Sequence, residues 1–280
     1  MPKINKIKSN IIGLDMGLVI GRFFLNTEDL HFGYWPSGEK PTVQNFSWAQ
    51  ENHTSLIMDN IPKGTKRILD VGSGSGNLAL KLLNAGYLVD CVIPSEYLAN
   101  AVNEKLKGRG QIYICKFEDF NCKNQYDLIL FSESFQYVQL KKSLQLLDKI
   151  LSTNGYLIIC DFFKLDAPGK SLMGGGHKWQ DFQVAIENTT LQKITDLDIT
   201  DGTAPTIDFL DNFSNEVLKP MSEMIGQYML SNYPKLTKMI MWKFRPRFNK
   251  IKQRYFSGIV NGENFKKYKT YRLLLYRLIK

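Results

Sequence analysis

The chain has 280 residues, 44% of them hydrophobic and 12% aromatic, which excludes a disordered chain and suffices for a buried core in one domain, or in one domain with a large insertion. The formal charge of +9, from 36 basic and 27 acidic residues, permits anionic partners such as phosphate groups, nucleic acid or an acidic bilayer, but says nothing of fold. The four cysteines, Cys91, Cys115, Cys122 and Cys160, form no Cys-x-x-Cys pair, so they read as small hydrophobes in a reducing, cytoplasmic compartment, with no metal site and no disulfide.

In chain order, "MPKINKIKSNIIGLDMGLVIGRFF" starts basic and turns apolar. Asp15 and Arg22 interrupt it and no small-residue cleavage site follows, so neither a signal peptide nor a spanning helix is expected. Gly13, Gly17 and Gly21 recur every four residues, which suits either a closely packed helix or a flexible leader. "DLHFGYWPSG" (29–38) precedes a helix over 43–61. From residue 67 onward, the apolar runs "RILDV", "YLVDCVI", "QIYICKF", "YDLILFS" and "GYLIICDFF" alternate with helix-length amphipathic segments at 75–86, 95–107 and 139–152. That alternation predicts an α/β, doubly wound, mostly parallel sheet covered on both faces.

"LQKITDLDIT" and "YKTYRLLLYRLI" supply a sixth and a seventh strand. About 65 residues separate them where a short hairpin would serve, a length that marks a lid or subdomain. The insertion has helical periodicity, with breaks expected at Pro220, Pro234 and Pro246. From Tyr233 to Phe256 its charges are all basic (Lys235, Lys238, Lys243, Arg245, Arg247, Lys250, Lys252, Arg254), interleaved with Met239, Ile240, Met241, Trp242, Phe244 and Phe248. Such a mixture suits an anionic membrane surface, a lipid-like substrate or, last of the three, nucleic acid, for which no RNA-binding signature is present. The plain alternative is a helical cap that roofs the core with its apolar face and turns Lys and Arg outward.

"DVGSGSGN" places glycines at 72, 74 and 76 directly after a strand and before the helical "LALKLLNAG". Glycines there clear space for a ligand and allow backbone angles other residues resist, and the next helix opens with free N–H groups. A dinucleotide would ask for G-x-G-x-x-G with a carboxylate about 20 residues on. Here the spacing is G-x-G-x-G, and the strand ends in Asp70, able to meet the ammonium of an amino-acid moiety.

The stretch "ILDVGSGSGNLALKLLNAGY" resembles the first motif of class I S-adenosylmethionine-dependent methyltransferases, and the likeness extends over roughly residues 30 to 165. It implies a Rossmann-like methyltransferase fold with S-adenosylmethionine as cofactor. Asp70, Gly72, Ser73, Gly74 and Gly76 would lie against its methionine and ribose parts, with Ile93 and Phe131 beside it. The acid that usually binds the ribose aligns with Val92, leaving Asp90, on the same side of the strand, as a substitute. The acid that usually faces the adenine aligns with Lys116, leaving Glu118 and Asp119. Three explanations stand: a local slip of the alignment, a nucleoside held by backbone and stacking, or a site that has lost the cofactor.

"DLHFGYWPSG" is similar to the segment that closes over the cofactor in the tocopherol, sterol and glycine/sarcosine methyltransferases and, more distantly, cyclopropane fatty acid synthases. This makes Tyr34 and Trp35 candidates for its methionine end; read from the residues alone, they form an aromatic plug. "FSESFQYV" matches that group at Glu133 and Ser134, but Gln136 and Tyr137 replace the usual Glu-His, which argues against cyclopropanation because glutamine is no base. Glu133, Tyr137 and His31 are the catalytic candidates. Glu133 is equally readable as a helix-capping partner, His31 suits proton acceptance near pH 7, and His53 reads as structural. The expected units are a closing segment with its helix (1–60), the core (61–200), a helical cap (201–265) and a final strand (266–280). The expected function is methyl transfer to a small or lipophilic acceptor. The alternative is a binding or regulatory protein that keeps the fold without turnover.

Overall fold

The computed structural model describes residues 9–36, 38–169 and 171–279; the basic start of the chain, 1–8, lies outside the described residues. Helix α1 (Ser9–Ile20) comes first and buries Leu18 in the main core. After α2 (Phe46–Asp59) the chain alternates β1 (Arg67–Val71), α3 (Asn77–Asn84), β2 (Leu88–Val92), α4 (Glu96–Leu106), β3 (Ile112–Tyr113), β4 (Tyr126–Ser132), α5 (Leu140–Ile150), β5 (Leu151–Lys164), α6 (Trp179–Glu187) and β6 (Leu191–Asp198). Five helices follow, α7 (Thr200–Thr203), α8 (Pro205–Phe213), α9 (Lys219–Asn232), α10 (Pro234–Tyr255) and α11 (Gly262–Tyr268), before β7 (Lys269–Leu278).

The seven strands form one sheet in the order β3-β2-β1-β4-β5-β7-β6. The first five are parallel, whereas β7 runs antiparallel to both β5 and β6. Because side chains alternate along a strand, each strand feeds two cores. Ile68, Leu128, Leu130, Ile158, Leu273 and Leu275 pack on one face with α3 and α4. Leu69, Val71, Ile129, Phe131, Leu157, Ile159 and Leu274 pack on the other with α5 and α6.

Three details differ from the sequence expectation. "QIYICKF" keeps only Ile112 and Tyr113 in the sheet, because β3 is an edge strand paired with β2 alone and the chain turns at Phe117–Asp119. Pro234 sits in the first turn of α10, where a missing N–H has no partner to lose, whereas Pro220 follows a π-helical turn, Ser214–Leu218, that carries α8 into α9 without a break. Pro246, by contrast, lies inside α10, and the helix runs through it at the cost of one hydrogen bond. The insertion also behaves as two parts. Ile207 of α8 and Phe265 of α11 join the core, while α10 buries only Thr237, which hydrogen bonds to the Met229 carbonyl of α9. The α9–α10 part is a hairpin that exposes Met224, Ile225, Tyr228, Met239 and Trp242.

Candidate active site

β1 carries Asp70 to the carboxyl edge of the sheet, and the chain crosses that edge in the turn Gly72–Gly76. A cavity of about 640 Å³ opens there, beside β1 and β4, where the strand order reverses and such sheets bind ligands. The three glycines of the turn all adopt positive φ, +77°, +55° and +85°, but for different reasons. A Cβ on Gly72 would stand 2.3 Å from Ser134 Cβ, and one on Gly76 would meet Val102 of α4 at 3.1 Å. Those two serve packing of the protein on itself. A Cβ on Gly74 would meet only Leu30, at 3.7 Å, so Gly74 leaves room beside the cavity it lines.

Asp70 is buried, 1% exposed, and its Oδ2 has no hydrogen-bond partner among the described residues. Burial pushes its carboxyl up to about 7. An orphaned buried carboxylate oxygen is costly unless a partner completes it; Asp70 is among the residues lining the cavity, and a ligand's ammonium group would be such a partner. Val92, Ile93, Pro94, Ser95 and Leu98 continue this half of the cavity, followed by Cys115, Lys116, Phe117 and Glu118. The residues present thus fit an amino-acid head against Asp70 and the glycine turn, and an apolar slot for a nucleoside.

The other half is organised by Glu133, which has φ +52°, a strained conformation for a non-glycine residue. Its N–H donates to the Cys160 carbonyl at 2.8 Å. Its Oε1 accepts the Phe32 N–H at 2.5 Å and the Tyr271 hydroxyl at 2.8 Å. Burial pushes the Glu133 carboxyl up to about 8, and neighbouring Asp161 adds to the rise while the Phe32 N–H and Tyr271 restrain it. At neutral pH it is accordingly an uncharged acid; with both bonds taken by Oε1, its proton belongs on Oε2. Behind it, Tyr271 meets His53 Nε2 at 2.9 Å. Since Tyr271 gives its one proton to Glu133, the His53 Nε2–H is the donor in that contact. Burial holds His53 neutral, and His31 stacks on it with ring centres 4.4 Å apart.

Of the residues singled out in the sequence, the cavity brings together His31, Asp70, Gly72, Ser73, Gly74, Ile93, Glu118, Glu133 and Tyr137. Burial, Glu133 and Asp161 push the Tyr137 hydroxyl up to about 12. The remaining candidates lie elsewhere. Asp90 is on the same face as Val92, but its oxygens accept the Gln111 N–H (3.0 Å) and the Tyr126 hydroxyl (3.0 Å) deeper along the sheet. Val92 itself lines the cavity, with no acid in its place. Trp35, 1% exposed, packs on Phe46, and its backbone N–H donates to the Gly202 carbonyl; Tyr34 lies against Gly202. They fasten the N-terminal segment to the start of the insertion, and Leu30, His31 and Phe32 are what reach the cavity. Gly76, Asp119 and Phe131 do not line it; Phe131 is a core ring stacked edge-on against Phe117 and Phe135. Sequence reasoning missed Tyr271, which lies more than 130 residues beyond the motifs and carries no local signature, and it singled out Arg254 only as one of the basic residues of the insertion.

Residues 69–159 match the model of a family described as a methyltransferase domain. Over 135 residues, 43% of this chain, the sequence is 30% identical to the uncharacterized methyltransferase YrrT of Bacillus subtilis, and the match spans 63% of that relative's length. Among solved structures, the geranyl diphosphate C-methyltransferase of Streptomyces coelicolor, solved with S-adenosyl-L-homocysteine, superimposes with a TM-score of 0.66 at 14% identity, covering 98% of this chain and 94% of that one. The [4+2]-cyclase SpnF does so with a TM-score of 0.65 at 14% identity, covering 96% of each chain. The strand order, the glycine turn and the likeness of residues 69–159 to a methyltransferase domain together give this chain the class I methyltransferase fold.

Proposed function

We propose that the protein binds S-adenosylmethionine in the Asp70 half of the cavity and methylates a small or lipophilic molecule held in the Glu133 half. The observation that carries this reading is the unpartnered, buried Asp70 Oδ2 beside the open Gly74. Asp70 would hold the cofactor's ammonium, the Gly72–Ser75 backbone its methionine part, and Val92, Ile93, Leu98 and Phe117 its nucleoside. When bound, the cofactor supplies an activated methyl group on a sulfonium. What remains for the chain is to align the acceptor and to move one proton. Glu133 Oε2 is placed for that: ionised above about pH 8, it takes a proton from the acceptor; below that pH it donates a hydrogen bond instead. His31 and Tyr137 are second contacts for the acceptor.

Calorimetric titration with S-adenosylmethionine and S-adenosylhomocysteine tests the assignment; saturable binding lost in Asp70→Ala supports it, and no heat with either ligand overturns it. A second reading, a protein on this fold without methyl transfer, rests on Val92 standing where an acid commonly holds the ribose. In that case the ligand binds and no methylated product forms with any acceptor.

The exposed α9–α10 hairpin supports a further element of this reading, contact with an anionic membrane that delivers a lipid-like acceptor. Trp242, 79% exposed, and Met239 project among Lys235, Lys238, Lys243 and Lys250. Among the described residues no helix is long and apolar enough to cross a membrane, so the contact would be peripheral.

A further inference from the structure

The loop between β5 and α6 contains three consecutive glycines, Gly174–Gly176, and two of them, Gly174 and Gly175, line the Glu133 half of the cavity. Underneath lies Lys269, the first residue of β7, 1% exposed. Its ammonium donates to the Gly174 carbonyl at 3.1 Å and the Gly175 carbonyl at 2.6 Å, and it sits 5.1 Å from the centre of the Phe162 ring. In a trans peptide the carbonyl and the following N–H point in opposite directions. With both carbonyls turned down to Lys269, the N–H groups of Gly175 and Gly176 are turned away from it, and of these two residues Gly175 lines the cavity. Among the described residues neither N–H makes a hydrogen bond. Side chains are excluded here as well: a Cβ on Gly175 would fall 2.3 Å from Gln136 Oε1, and one on Gly176 would fall 2.8 Å from the Phe162 carbonyl oxygen.

Arg254, near the end of α10, completes the arrangement. It lines the same cavity, its guanidinium lies 3.5 Å from where a Gly174 Cβ would be, and it forms no ion pair among the described residues. The acids nearby are committed or neutral. Asp161 accepts the N–H groups of Gln136 (2.9 Å) and Phe162 (2.8 Å), and Glu133 is the uncharged acid described above. Phe32 and Phe162 supply apolar surface to the same cavity, which Gln136 and Tyr137 also line.

We infer that this half of the cavity selects an acceptor with an apolar body and an anionic end group, a carboxylate or a phosphate, held by the Arg254 guanidinium and the Gly175 N–H. Lys269 is the positioning residue that orients that N–H. The inference rests on giving the other half of the cavity to the methyl donor. Backbone N–H groups with an adjacent guanidinium suit either anion, the planar fork matching both.

The test uses the full chain labelled with 15N-glycine and three probes with the same tail, octanoate, octyl phosphate and 1-octanol. The expected result is a saturable change in the Gly175 amide resonance with at least one of the two anions and none with octanol; the tighter anion identifies the end group. Arg254→Gln should weaken anion binding about tenfold or more and leave both octanol and S-adenosylhomocysteine affinity unchanged. Lys269→Met should abolish the Gly175 response even though Arg254 remains. Equal binding of octanol and both anions, or unchanged anion affinity in Arg254→Gln, overturns the inference. Absence of S-adenosylhomocysteine binding in the wild type would instead defeat the methyl-donor assignment, and the glycine resonances are read independently of it.

Discussion

Replacing Asp70 by asparagine should strengthen the ligand-free fold at alkaline pH while weakening its hold on the cofactor. The carboxyl is buried, and burial raises it from 3.8 to about 7. A carboxyl raised in the folded state contributes full stability below its unfolded value, and that stability is lost as pH rises through the folded value. A tenfold difference in proton affinity between the folded and unfolded chain is worth about 1.4 kcal/mol, so between pH 5 and pH 8 ionisation of Asp70 should cost about 3 kcal/mol. Asparagine has the same shape and leaves a similar orphan group, so near pH 5 the two proteins should differ by no more than about 1–2 kcal/mol. At pH 8 the variant should be the more stable by a further ~3 kcal/mol. Cofactor binding should move oppositely, because removing one partner of a buried charge pair costs on the order of 2–5 kcal/mol, roughly thirtyfold or more in Kd. Urea unfolding at pH 5 and pH 8, with and without S-adenosylhomocysteine, reads both effects. A variant that is less stable than wild type at pH 8, or that binds S-adenosylhomocysteine normally, would refute the reasoning.

Three further outcomes follow from the same geometry. Gly72→Ala places a Cβ 2.3 Å from Ser134 and should lower the unfolding free energy by roughly 2–4 kcal/mol, whereas Gly74→Val should cost less in folding, measured by urea midpoint, yet abolish cofactor binding. Tyr271→Phe removes the hydroxyl from Glu133 Oε1 and His53. Because that hydroxyl restrains the Glu133 carboxyl, the ascending, acid-side limb of the kcat profile should move to higher pH, and a profile identical to wild type would place Glu133 outside the proton transfer. Co-sedimentation with anionic vesicles should exceed that with neutral ones and fall with added salt, each basic residue near the surface contributing up to ~1 kcal/mol. Changing Lys235, Lys238, Lys243 and Lys250 together to Ser should remove the difference, and equal, negligible binding throughout would leave the hairpin without a membrane role.

Much of the core was legible because its rules are local. The alternation of apolar runs and amphipathic segments determined the layer arrangement, since a strand buried on both faces must be apolar along its whole length. "DVGSGSGN" announced the site, because a ligand at the edge of β1 demands bare backbone and a terminal acid. Even there the sequence treated three glycines as one device, and only the fold separated Gly74, which faces the cavity, from Gly72 and Gly76, which make room for Ser134 and Val102. Asp90 could be placed on the right face of β2, yet its neighbours Tyr126 and Gln111 belong to other elements and had already taken its oxygens. Tyr34 and Trp35 were readable as aromatic and not as anchors, since their partner Gly202 is distant in sequence. The acceptor half was the least legible part. Glu133, Tyr271, Lys269 and Arg254 come from the end of β4, from β7 and from α10, and no spacing rule links them. Their meeting follows from β7 inserting antiparallel beside β5, a pairing set by the packing of the whole sheet and by no motif within any one strand.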